Sequence, residues 1–152
     1  MPNAGEFCNR RTVIARKGEA ILDVAQRMRS EHVGSVVVVE DLPNGKVGPV
    51  GMLTDRDLVV RVLAATDRHL PSVRVGDVMT DEPIKAWDDE DLYDIIKRMR
   101  SFGVRRMPVI DRAGSLQGII ALDDIVDFLA EQVTDMSTLL SREQMREEGP
   151  RP

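Results

Sequence analysis

The chain has 152 residues, 42% of them apolar, and a net charge of −5 at neutral pH. That suits one compact unit with a real core and is too apolar for a disordered chain. The acidic balance argues against a nucleic-acid binder, because affinity for a phosphate backbone needs a positive face. No apolar run approaches the roughly 18 residues of a membrane span. Glu6 and Asn9-Arg10-Arg11 precede any apolar stretch, so the start does not read as a secretory leader. A single cysteine, Cys8, cannot form an internal disulfide, and a cytoplasmic location is the expectation.

In chain order, Thr12-Val13-Ile14 is a short strand candidate. Ile21, Leu22, Val24, Ala25 and Met28 then recur at helical spacing, predicting an amphipathic helix over Glu19 to Glu31. Ser35-Val36-Val37-Val38-Val39 is too short and too β-branched for a helix and reads as a buried strand. Pro43-Asn44-Gly45 is turn chemistry, so the next strand, Val47 to Leu53, should return antiparallel. Leu58, Val59, Val62 and Leu63 mark a second helix, and His69-Leu70-Pro71-Ser72 breaks the pattern. The same order then recurs. A strand lies near Ile84-Lys85-Ala86, and a helix starts at Asp89 and uses Leu92, Ile95, Ile96 and Met99. Strands Arg106–Ile110 and Leu116–Ile120 flank a turn at Ala113-Gly114, and a helix runs to about Val133. Ser137 to Glu148 could add a helical turn or two, and the last four residues are expected to be disordered.

The recurrence is literal. Ala15, Glu19, Asp23, Arg27, Met28, Arg29, Ser30, Val33 and Val38 have identical residues 71 positions on, from Ala86 to Val109. After a shortened turn the spacing becomes 67, where Gly51 meets Gly118 and Asp57 meets Asp124. Two tandem copies of about 60 residues follow, as repeats over 8–67 and 75–135 joined by a linker, 68–74, with a C-terminal tail, 136–152, that is partly disordered. The fold class is α+β, two β-α-β-β-α repeats.

This doubled pattern resembles the cystathionine β-synthase (CBS) domain, and the tandem resembles a Bateman module. The likeness covers Asn9 to Thr134 and rests on Val33-Gly34-Ser35-Val36-Val37-Val38-Val39, on Gly103 to Asp111, and on the two glycine-to-aspartate stretches, Gly51 to Asp57 and Gly118 to Asp124. It implies two copies related by a pseudo-two-fold axis, a disc-shaped homodimer, and clefts that take adenosine-containing ligands. In the family pattern Gly-x-x-Thr/Ser-x-x-Asp, the aspartate binds ribose hydroxyls and the hydroxyl residue lies near ribose and phosphate. Gly51, Thr54 and Asp57 match it fully, while Ala121 replaces the hydroxyl residue beside Asp124. The resemblance also implies that Asp57 faces the strand Val104-Arg105-Arg106-Met107-Pro108 of the other copy, whose arginines meet phosphate, with Arg56 as a further candidate. The wall facing Asp124, Val33-Gly34-Ser35-Val36, offers no cation.

The residues also permit blander readings. Thr54 followed by Asp57 at a helix start is equally a capping pair. The two roles are compatible, because a helix N-terminus itself attracts anions. Arg105 and Arg106 could be solvated strand-end residues. His32 and His69 lack metal-ligand spacing with Cys8, and His32 at a helix end reads as structural. Asp55, Asp57, Asp123 and Asp124 sit at helix starts with no partnered nucleophile in view. The expectation is therefore a non-catalytic regulatory module that binds an adenine nucleotide (AMP, ADP or ATP) and needs no cofactor. It should form a homodimer, with an unidentified target protein as a further partner and neither nucleic acid nor membrane. The alternative is a ligand-free dimerisation or protein-interaction module. An enzyme is disfavoured, because no appended catalytic domain fits this length. Leu139-Leu140 and Met145 could dock on a partner or on the protein's own surface.

Overall fold

The computed structural model describes residues 1–65, 67 and 69–148. Contacts divide the chain into two units, one ending at Ile120 and the other beginning at Ala121.

The first unit opens with α1 (Ala4–Phe7), capped by Asn3, and continues through β1 (Ile14–Ala15), α2 (Ile21–Glu31), β2 (Ser35–Asp41) and β3 (Val47–Thr54). A short α3 (Asp55–Asp57) runs into a π-helical turn, Leu58–Leu63, where Ala64 N–H reaches back to the Val59 carbonyl at 2.9 Å. A 3₁₀ turn over Leu70–Ser72 leads to α4 (Val75–Val78) and β4 (Thr80–Asp81). The second repeat then lays down β5 (Ala86–Trp87), α5 (Leu92–Phe102), β6 (Arg106–Ile110) and β7 (Leu116–Ala121).

Two sheets result, with orders β1-β2-β3-β4 and β5-β6-β7. The β1–β2 and β5–β6 pairs are parallel, and β2–β3 is antiparallel as its short turn requires. Strand β2 is buried on both faces. Val36 and Val38 join α2 and Leu53 in one core cluster, while Val37 and Val39 pack with Met52 and Leu116 in another. A buried central strand reads as a continuous β-branched run for this reason. The register slips between Val38 and Val39, opposite Pro49, where a bulge accommodates a residue that cannot donate to the ladder.

Each sheet is completed by a segment from the other half of the sequence. β4, which precedes the second repeat, pairs antiparallel with β3. Asn9, 71 positions before Thr80, bridges Ile119 of β7. The short helices follow suit. Ala4 and Gly5 donate to the carbonyls of Glu90 and Asp88, and Val75 and Gly76 donate to those of Glu19 and Lys17. Gly51 and Gly118 are required at these crossings. A Cβ at Gly51 would lie 2.6 Å from Met79 Sδ, and one at Gly118 only 2.5 Å from the Asn9 carbonyl oxygen. The repeat signal therefore extends to α1 and α4, which are too short for any hydrophobic period to reveal.

Twin ion pairs lock each repeat's helix to the chain entering it. Arg27 binds Glu19 at 2.6 Å and the Ile14 carbonyl, and Arg98 binds Glu90 at 2.8 Å and the Lys85 carbonyl. The 11-residue helices α2 and α5 also end alike, on a left-handed residue. This is Gly103 after α5 but His32 (φ 55°) after α2, the structural role expected of that histidine.

The second unit consists chiefly of α6 (Leu122–Glu147). This corrects the expected stop near Val133, since the tail to Glu147 is one uninterrupted helix. Good helix formers and an absence of Gly and Pro carry it on. The expected disorder of residues 149–152 lies outside the described residues. No helix among the described residues is long and apolar enough to cross a membrane.

Candidate functional site

The site begins where β3 ends. Thr54 is extended (φ −118°, ψ 163°), and its Oγ1 accepts from Asp57 N–H at 3.1 Å while its own N–H donates to Asp57 Oδ2 at 3.0 Å. This reciprocal box satisfies two helix-start donors and swings Arg56 outward. From the second repeat, α5 stops at Gly103, whose φ of +65° turns the chain into Val104-Arg105-Arg106 at the mouth of β6. Between these walls lies a cleft of about 570 Å³, within the usual range for a small-molecule site.

Thr54, Arg56, Val104, Arg105 and Arg106 all line this cleft, brought together from opposite halves of the sequence. The other three residues singled out from the sequence do not line it. Asp57 is a largely enclosed side chain, 15% exposed, held by the cap and by Arg61 Nε 3.7 Å from its Oδ1. Pro108 is buried inside β6. Asp124 is exposed in the first turn of α6.

Sequence reasoning missed the floor and far wall, Thr80, Glu82, Pro83 and Ile84, together with Phe102 and Gly103. The Glu82-Pro83 step was the available signal for a turn there. Glu82 takes a left-handed φ of 48°, a conformation that non-glycine residues adopt at a cost and that clusters at functional sites. Met52 and Ile84 supply apolar lining. With Arg56, Arg105 and Arg106 against Glu82, the cleft is locally cationic in an acidic protein.

Perturbed groups lie elsewhere. A hydrogen bond from Arg27 holds the Glu19 carboxyl below its ordinary value and raises Arg27 in turn. A second hollow of about 500 Å³ beside this pair is lined by Arg11, Arg16 and Glu31 as well as by the paired Glu19 and Arg27. Burial pushes the Cys8 thiol up, which keeps it protonated and unreactive. Among the described residues no cluster of His, Cys, Asp and Glu could hold a metal ion.

Comparison with known proteins agrees with the repeated fold. The CBS domain family matches residues 4–64 and 75–131. An uncharacterised protein of Methanopyrus kandleri is 32% identical over 124 residues, 82% of this chain, which spans 61% of that relative's length. A CBS domain protein of unknown function from Thermoplasma acidophilum superposes with a TM-score of 0.71 at 25% identity, covering 93% of this chain and 76% of that one. The cytosolic domain of the Mg²⁺ channel MgtE, solved in complex with ATP, superposes with a TM-score of 0.68 at 26% identity over 84% of this chain and 48% of that one. With two matched segments covering most of its length, a shared repeat and superposable folds, this chain belongs to the CBS domain family and carries two tandem CBS repeats.

Proposed function

We propose that the chain is a non-catalytic regulatory module that holds an adenine nucleotide in the cleft between Thr54 and Arg106. The observation carrying this reading is the convergence of Thr54 and Arg56 from one repeat with Val104, Arg105 and Arg106 from the other around about 570 Å³. Its apolar lining suits a purine, and its arginines suit phosphate, which guanidinium binds in bidentate fashion. Asp57, next in sequence to the lining residue Arg56, retains unused lone pairs on its carboxylate. These can accept from ribose hydroxyls while the cap persists. The similar MgtE domain, described with ATP, supports the ligand class.

The functional units of this reading are the repeats at 8–67 and 75–135. The protein acts in the cytoplasm, and an unidentified target protein reads the ligand's effect. Two copies pair, because Val59, Val60 and Leu63 leave an exposed apolar patch on the π-helical turn.

A thermal-shift screen with AMP, ADP, ATP, S-adenosylmethionine and NADH tests the ligand. A nucleotide at a hundred times its Kd stabilises the fold by about 2.7 kcal/mol. If none raises the melting temperature, the module is ligand-free and serves assembly alone.

A further inference from the structure

The turn Pro43-Asn44-Gly45 between β2 and β3 holds the chain's one Asn-Gly step, since Asn3 and Asn9 precede Ala4 and Arg10. Such a step is chemically labile. Glycine has no side chain to obstruct its backbone nitrogen as it approaches the asparagine amide carbon. Asn44 is exposed, so water reaches it and burial does not protect it.

Three hydrogen bonds hold the step away from that reaction. Lys46 N–H donates to Asn44 Oδ1 at 2.9 Å, which fixes the amide's orientation and leaves Nδ2 to donate to Ser115 Oγ at 3.1 Å. Gly45 N–H donates to the Leu42 carbonyl at 3.1 Å, so the nitrogen that would attack is occupied. Ser115 comes from the turn between β6 and β7 and is 1% exposed. It is anchored in turn by Asp111, whose Oδ1 accepts its N–H at 2.9 Å. The second repeat thus guards a residue of the first.

We propose that Asn44 is a guarded modification site, converted to isoaspartate when this hairpin opens. Once the three bonds break, the Gly45 nitrogen gives up its proton and attacks Asn44 Cγ. The new carbon–nitrogen bond closes a succinimide ring, the Cγ–Nδ2 bond breaks, and ammonia leaves carrying the proton. Water then adds to either imide carbonyl and opens the ring. The product is aspartate or, with the main chain rerouted through the side chain, isoaspartate. Either product lacks the Nδ2 donor that holds Ser115, and isoaspartate lengthens the backbone by a methylene. The two hairpins pack too closely to absorb this, because a Cβ at Gly48 would already lie 2.9 Å from the Gly114 carbonyl oxygen. The modification therefore loosens the contact between the hairpins of the two repeats.

The test follows isoaspartate at Asn44 over time at mildly alkaline pH, by peptide mapping and enzymatic methylation of isoaspartyl residues. Asn3 and Asn9 serve as internal references. The full-length wild type and Ser115→Ala are incubated both native and in urea. Each bond is worth about a fivefold factor, so native wild type should react roughly a hundredfold more slowly than the unfolded chain. Native Ser115→Ala lacks one bond and should react about fivefold faster than native wild type, with equal rates in urea. Native wild type converting as fast as in urea would overturn the guard. A native Ser115→Ala rate equal to that of wild type would overturn the part given to Ser115. No isoaspartate at Asn44 in urea would overturn the site itself. Urea midpoints establish that Ser115→Ala is folded, and if it is not, native against unfolded wild type decides. Converted wild type, returned from urea, should show a lower midpoint than unconverted protein, and an unchanged midpoint would overturn the loosening.

Discussion

Arg61 stands between Asp57 and the chain entering the second repeat. Its Nε lies 3.7 Å from Asp57 Oδ1, and its Nη1 donates to the carbonyls of Val78 at 3.1 Å and Met79 at 3.3 Å. One guanidinium thus ties the capping aspartate of the first repeat to the end of α4, immediately before the cleft wall at Thr80. Replacing Arg61 by Ala strips two carbonyls of a charged donor and should cost about 1.5–3 kcal/mol of stability. Arg61→Lys should recover part of it, since an ammonium cannot reach as a planar fork. Urea midpoints unchanged in both variants would make the tie inert.

For the ligand, AMP should bind more tightly than adenosine, and Arg106→Ala or Arg105→Ala should narrow that gap. Asp57→Ala should weaken both ligands alike, by roughly ten- to a hundredfold, because it removes a charged acceptor that meets only sugar. The same substitution removes half of the capping box and should cost about 1 kcal/mol of stability. Calorimetry and denaturation on the same variants separate the two roles. A stability loss with unchanged affinity for either ligand would leave Asp57 as a cap alone.

The Glu19–Arg27 pair should be visible in pH dependence. The folded-state value of Glu19 lies below its ordinary 4.5, so its contribution is present above the unfolded value and is lost as pH falls through the lowered folded one. Wild type should exceed Glu19→Gln in melting temperature at neutral pH, with the margin closing only below pH 4.5. A margin that stays constant across that window would assign the difference to packing.

Gly51→Ala and Gly118→Ala probe the exchanged segments. Overpacking of this kind costs about 1–3 kcal/mol. Gly118→Ala should be the worse of the two, since its nearest obstacle is the Asn9 carbonyl oxygen at 2.5 Å, whereas Gly51 first meets the movable thioether of Met79. Chemical denaturation of both variants checks the order, and the reverse order would contradict it.

His32→Gly should stabilise the protein. His32 is held at φ 55°, where a side chain costs about 1–2 kcal/mol, and the second repeat already uses Gly103 at that place. The gain is partly offset by the greater freedom of glycine in the unfolded chain. A lower melting temperature in the variant would mean that the imidazole makes a contact worth more than the strain.

What the sequence determined by itself was everything with a local cause. The β-branched run Val36–Val39, the apolar spacing of Ile21 to Met28, the turn at Pro43-Asn44-Gly45 and the 71-residue echo from Ala15 to Ala86 were each legible, and together they identified two α+β repeats. The tertiary structure decided what depends on residues far apart in the chain. Only folding brings Arg56 opposite Arg106, because the cleft is a property of two repeats in contact. Only folding shows β4 completing the sheet of the repeat before it, since two residues carry no period. Asp57 could be read as cap or as ligand contact from its spacing to Thr54 alone. In three dimensions the cap forms, because a helix start leaves donors that the nearest carboxylate satisfies first.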